Sequence, residues 1–380
     1  MKKAILMPDS FKGTMSSSEI CAIMKSEIIK HFPNCEIKSI PVADGGEGTV
    51  DCFLEAMGGE RVTLAVKGPF MEDIEGFYAI VEDGATAIIE MAAAASLPMV
   101  LGRENPRITT TFGVGQLIRD AVSRGCKKII VGLGGSCTND MGVGAAAGAG
   151  ARFFDAEGND FVPTGATLDK IAKIDVSAVR AMLGDVEITA MCDIDNPLYG
   201  PTGAAYVFSP QKGADPDTVK VLDDNLRACS EVVKKELGID VSALPGAGAA
   251  GGMGAGMVAF FGATLKSGID TVLDTVGFEN IAADADFIFT GEGKIDSQSL
   301  RGKVVIGIAQ RAKAIGVPVI AVVGDIGDNM DSAYDMGVGA IYSINRVAVD
   351  FSKAKTRSKS DLALTVDTVM RTLKLGASMK

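Results

Sequence analysis

The chain has 380 residues, is 47% hydrophobic and 22% charged, and carries a formal net charge of −11. That length exceeds one ordinary core and points to two domains, and the composition is that of a folded globular protein. The acidic balance argues against nucleic acid and anionic membrane as partners, but not against small anionic substrates, because local lysines and backbone amides can outweigh the global sign.

Residues 3–7 (KAILM) read as a strand that stops at Pro8. The apolar run is too short for a signal peptide, and no uninterrupted apolar stretch of about 18 residues occurs, so no transmembrane helix is expected. A helix follows, announced by the capping-box spacing of Ser16 and Glu19 and by Ile20, Met24 and Ile28 along one face. Residues 36–42 read as a second strand, and a second helix covers about 48–57. The runs 61–67, 75–82 and 86–91 lie close together with short turns, which suggests an antiparallel meander. A helix near 110–124, a strand at 127–133 and a Gly/Ala helix from about 140 come next. Residues 186–192 and 204–208 read as further strands, and 216–236 as a charged amphipathic helix. Strands at 286–290, 317–323 and 339–344 alternate with a helix at 300–315, and a last helix is expected from Ser360, with 353–360 (KAKTRSKS) a solvated loop.

Two parallel-type strands at the front and three at the back make a flavodoxin-like doubly wound sheet. The expected architecture is α/β and discontinuous: residues 1–62 plus 282–380 form the flavodoxin-like domain, with a mixed α/β domain, 63–281, inserted. A ligand is expected in the cleft between them. The seven cysteines are scattered without a C-x-x-C pair, as for reduced thiols in a cytoplasm. The single histidine, His31, reads as structural, so a general base must be a carboxylate, a lysine or the substrate's own phosphate.

Five polar, glycine-bearing patches carry the chemistry. PDSFKGT (8–14) and ADGGEGT (43–49) follow the first two strands, where doubly wound folds bind ligands. Asp9, Ser10, Lys12, Asp44 and Glu47 are their candidate groups, against the plain alternative of turn and cap residues. GLGGSCTND (132–140) is an anion nest in which the amides around Gly134, Gly135, Ser136 and Thr138 suit phosphate, although no Walker pattern occurs. In CDIDNP, Asp193 and Asp195 stand at i, i+2, so an extended chain would turn both carboxylates to one side, which suits Mg²⁺, against the plain alternative of a turn with Asp caps ahead of Pro197. TGEGKIDSQS (290–299) brings Glu292, Lys294 and Asp296 to a strand end, with Asp296 a candidate base. The G-x-G-x-x-G of Gly246, Gly248 and Gly251 has no strand before it and so lacks the dinucleotide-binding context.

Taken in order, PDSFKGT, PVADGGEGT, GLGGSCTND, CDIDNPLYGPTGAA, PGAGAAGGMGAG and TGEGKIDSQSLRGK resemble the bacterial glycerate kinase family of glyoxylate and glucarate utilisation, over nearly the whole chain. Cys137 departs from the Ala common at its position. The resemblance implies a flavodoxin-like domain with an insertion, ATP and Mg²⁺ as cofactors, and D-glycerate converted to phosphoglycerate, the 2-isomer favoured over the 3-isomer. The roles of single residues rest on their own chemistry and not on the resemblance: ATP phosphates are expected on Gly134, Gly135, Ser136 and Thr138, and Mg²⁺ on Asp193 or Asp195. Glycerate falls near Asp9, Ser10, Lys12, Asp44 and Glu47. Catalysis would rest on Asp296 or Asp44 as proton acceptor and Lys12 as neutralising cation. The alternatives are a kinase of another small hydroxy acid or sugar, or a non-catalytic two-lobed organic-acid binder. A homodimer is left open.

Overall fold

The structure, a computed structural model, describes residues 1–43 and 45–378. Contacts divide the chain into two units: Met1–Asp44, Glu55–Met57 and Gly268–Lys380, and Gly45–Leu54 with Gly58–Ser267. The boundaries read from sequence, at 62/63 and 281/282, differ from this division. Strand Glu60–Lys67 pairs along its length with Asp73–Val81 in the second unit, and helices Gly268–Val276 and Phe278–Ala282 belong to the first, where the former packs on helix Val304–Ala314.

In the first unit, five parallel strands lie in the order Val338–Ser343, Val319–Val323, Phe287–Gly291, Lys3–Pro8, Glu36–Ser39. Numbered along this unit, that is 5-4-3-1-2, the flavodoxin-like order. Ala4, Ile5, Leu6 and Met7 are fully buried, as continuous apolar runs are in a parallel sheet covered on both faces. Helix Ser17–His31 opens on the expected capping box, with Ser16 and Glu19 bonded reciprocally. It packs against the last helix, Phe351–Ser378. That helix begins before Ser360, so 353–360 is helical and not a loop. Arg357 pairs with Asp361 one turn on, and the Ser358 hydroxyl donates to the Ala354 carbonyl. The segment's charge hid its helical period. His31 is structural, its Nε2 lying 2.7 Å from Asp367 Oδ1.

The second unit holds a six-stranded sheet in the order Thr264–Lys266, Glu187–Met191, Lys128–Gly132, Thr86–Glu90, Asp73–Val81, Glu60–Lys67. The last three form the antiparallel meander, and the others run parallel. Phe153, Leu117, Ile118, Val131 and Phe260 belong to its apolar core. Residues 204–208 are a short helix, Ala204–Phe208, and not a strand. The Val207 amide bonds back to the Gly203 carbonyl and that of Ser209 to Ala205, so a short apolar run closed locally instead of joining a sheet. A small antiparallel sheet of Arg152–Phe154, Asp160–Phe161 and Lys173–Asp175 gave no clear sequence signal. No disulfide joins the seven cysteines. Among the described residues, no helix is long and apolar enough to cross a membrane.

Candidate active site

In the second unit, strand Lys128–Gly132 ends in the glycine nest. Gly134 donates its amide to the Gly45 carbonyl over 2.9 Å. The approach is so close that a Cβ on Gly134 would lie 2.5 Å from the Gly46 Cα, so two of the sequence patches meet backbone to backbone. Glu47 is exposed, and its Oε1 would stand 3.7 Å from a Cβ on Gly135. The PGAGAAGG loop presses on the same nest. Gly251 adopts a left-handed φ of 69° and accepts the Met141 amide at 3.1 Å.

Beneath the nest lies a cation. Lys212 is only 2% exposed. Its ammonium donates to the Ser136 hydroxyl over 2.6 Å and to the Thr138 carbonyl over 2.7 Å. Desolvation pulls its pKa down to about 8, with nearby Asp140 acting the other way. The Cys137 thiol is pushed up to about 12 by burial and stays protonated at neutral pH. Asp140 is fully buried, and its Oδ2 accepts the Thr111 amide at 2.8 Å and the Thr111 hydroxyl at 2.9 Å. Burial raises its pKa, opposed by these hydrogen bonds. The Thr138 hydroxyl and both amide atoms of Asn139 are buried without a hydrogen-bond partner, so the nest retains polar capacity.

Asp193 and Asp195 follow strand Glu187–Met191, and both are exposed. Among the described residues, no group of three or more His, Cys, Asp or Glu side chains forms a metal-holding cluster. Two exposed carboxylates at i, i+2 fit Mg²⁺, which commonly takes one or two carboxylates and completes its shell with water and phosphate oxygens.

In the first unit, the Asp9 amide donates to the Gly291 carbonyl over 2.8 Å, and Val42 donates to Pro8 over 3.0 Å. The patches after the first and third strands are thereby joined at the point where the strand order reverses, the ligand position of doubly wound folds. Asp9 is 9% exposed, and its Oδ1 accepts the Ser10 amide at 2.6 Å. The Lys12 side chain is exposed, and its amide nitrogen would lie 3.7 Å from a Cβ on Gly293. Glu292 is 7% exposed and its Oε1 has no hydrogen-bond partner. Desolvation chiefly, with the charges of Asp9 and Asp296, pushes its pKa up to about 7, against a Ser299 hydrogen bond and Lys303. Asp296 acts as a turn cap, its Oδ1 accepting the Gln298 amide at 2.8 Å. Asp9, Ser10, Lys12 and Asp296 thus belong to the first unit, and Glu47, Gly134, Gly135, Ser136, Thr138, Asp193 and Asp195 to the second. Asp44 lies outside the described residues. Sequence reasoning missed Lys212, whose SPQKGA context carries no motif, and gave Glu292 no role.

A sequence profile described as the glycerate kinase family matches residues 4–374. The chain belongs to the glycerate kinase family. It is 42% identical to a glycerate kinase of Bacillus subtilis (strain 168), with 99% of each chain covered. It is 43% identical to a glycerate 2-kinase of Escherichia coli (strain K12), with 90% of each covered. A crystal structure of a candidate glycerate kinase 2 from Salmonella typhimurium LT2 superposes with a TM-score of 0.88, at 39% identity and 99% coverage of both chains. A glycerate kinase family member needs a site for a phosphoryl donor and one for a hydroxyl acceptor. Lys212 beneath the nest in the second unit, and Asp9 and Glu292 at the strand crossover in the first, are the buried charged groups beside the sequence patches.

Proposed function

We propose that this enzyme transfers the γ-phosphoryl group of ATP to D-glycerate, with 2-phosphoglycerate as the product in preference to 3-phosphoglycerate. The observation that carries the reading is the glycine nest with a buried lysine bonded to its Ser136 and Thr138. Phosphoryl transfer asks little covalent chemistry of a protein and depends on positioning and charge neutralisation. The amides of Gly135, Ser136 and Thr138 bind nucleotide phosphates, whereas the Gly134 amide expected from sequence to join them is held by the Gly45 carbonyl, and Lys212 sets the nest's shape and adds positive charge. Asp193 and Asp195 hold Mg²⁺, which when bound neutralises phosphate charge. Lys12 neutralises the glycerate carboxylate. Within the first unit, Asp9, Ser10 and Asp44 supply the acceptor site with hydrogen-bonding groups, and Asp296 shapes the loop beside it.

The test is Mg²⁺-dependent ADP release with a panel of short hydroxy acids and sugars. ADP formed with glycerate far faster than with other acceptors supports the reading. ADP formed best with a different acceptor, or none with any, overturns it.

A further inference from the structure

Given phosphoryl transfer to glycerate, on which the role depends, we propose that Glu292 is the catalytic base that takes the proton from the acceptor hydroxyl. Three observations lead there. Glu292 directly follows strand Phe287–Gly291, whose register partner is Lys3–Pro8, so it stands beside Asp9 where the strand order reverses. It is 7% exposed, yet its Oε1 has no hydrogen-bond partner. A buried carboxylate oxygen with nothing to bond is costly in a resting fold and is what an incoming hydroxyl satisfies. The backbone around it is fixed: Gly324 donates to the Glu292 carbonyl over 3.0 Å and Asp325 to the Gly293 carbonyl over 3.1 Å.

Asp296, one of the two bases expected from sequence, is less suited, because it is only half-buried and its Oδ1 already accepts the Gln298 amide. The groups acting on Glu292 come from each segment around it. Asp9 and Asp296 disfavour its charge, while Ser299 and Lys303 favour it. Asp325, on the neighbouring strand end, is 3.7 Å from the Lys294 ammonium. The resulting pKa of about 7 is near the working pH, where a base both exists as carboxylate and holds a proton well.

The step balances as follows. The acceptor oxygen attacks the γ-phosphorus and an O–P bond forms. The bond from that phosphorus to the β,γ-bridging oxygen breaks, and ADP leaves with its electron pair. The hydroxyl proton passes to Glu292 and then to water.

The experiment measures kcat and kcat/KM against pH for the full chain with ATP, Mg²⁺ and D-glycerate. Glu292→Gln is expected to lower kcat roughly 10²–10⁴-fold and to abolish the acidic limb of kcat/KM near pH 7, while the KM for ATP stays within about threefold. Asp9→Asn is expected to move the wild-type limb to lower pH, and Lys303→Gln to higher pH. These opposite shifts test the assignment even if Glu292→Gln fails to fold. A Glu292→Gln enzyme with near wild-type kcat and an intact limb overturns the base role, as do Asp9→Asn and Lys303→Gln enzymes whose limbs do not move. If the wild type turns over another acceptor but not glycerate, the functional reading fails and the base role with it. If it turns over glycerate and the Gln variant does so at near wild-type kcat, the base role alone fails.

Discussion

Lys212 donates its ammonium to the Ser136 hydroxyl over 2.6 Å, joining residues 76 positions apart in the chain. The bond puts a buried cation beneath a glycine loop, an arrangement that favours a polyanion. Because Lys212 also holds the Thr138 carbonyl, it fixes the loop's shape as well as its charge.

Lys212→Met removes both bonds and leaves buried oxygens unsatisfied. It is expected to cost about 1–3 kcal/mol of stability and to raise the KM for ATP by tenfold or more, on the order of one charge-assisted contact. Denaturant titration and steady-state kinetics check the two effects separately.

The pH dependence of this lysine has a definite sign. Its pKa falls from the ordinary 10.5 to about 8 on folding. Between those values the folded chain binds fewer protons than the unfolded one, so Lys212 makes stability rise with pH across that window. Affinity moves the other way, since the nest loses its cation above pH 8. The KM for ATP is expected to climb there in the wild type and to be flat in Lys212→Met.

Gly251 presses on the nest from the opposite loop. A Cβ there would stand 2.0 Å from the Thr138 carbonyl oxygen, on a backbone already at φ +69°. Gly251→Ala is expected to destabilise by roughly 2–4 kcal/mol, combining left-handed strain with overpacking, and to weaken ATP binding. Gly262→Ala serves as control: φ is +66° there, but nothing lies within 4 Å. It is expected to lose only about 1–2 kcal/mol and to leave the KM for ATP unchanged. Thermal unfolding of the pair separates strain from collision.

Glu292 also leaves a mark on stability. Its pKa rises from the ordinary 4.5 to about 7 on folding. The raised value favours the fold fully below pH 4.5, and that contribution disappears as pH climbs through 7. Glu292→Gln, which never ionises, is therefore expected to be more stable than wild type at pH 8.5, by on the order of 2–3 kcal/mol. The advantage should vanish towards pH 4.5. Melting temperatures at the two pH values check the sign independently of turnover.

Much of this was legible in the residues. Strand runs such as KAILM and KKIIVGL ended in polar glycine patches, and the Ser16–Glu19 spacing named a helix start. The flavodoxin-like strand order followed from two apolar runs at the front and three at the back. Short or charged segments misled: AAYVF has strand-forming residues but closes locally as a helix, and KAKTRSKS shows no apolar period because its helix is held by ion pairs such as Arg357–Asp361. Lys212 was invisible because its role arises from tertiary burial, which no local pattern encodes. Glu292 and Asp296 look equivalent in TGEGKIDSQS; only burial of one and capping by the other separates them.

The metal assignment has its own test. Asp193→Asn and Asp195→Asn are expected to raise the Mg²⁺ concentration needed for half-maximal rate and to lower kcat, because a lost carboxylate ligand weakens a site that draws on only one or two. Unchanged Mg²⁺ dependence in both variants would remove these residues from the metal site.

The most direct measurement is phosphorus NMR of the products formed from ATP, Mg²⁺ and D-glycerate. The account expects one phosphomonoester on the C2 oxygen, appearing in equal amount with ADP and absent when glycerate is omitted. A C3 phosphomonoester would contradict the proposed product, and ADP accompanied only by inorganic phosphate would contradict phosphoryl transfer to glycerate altogether.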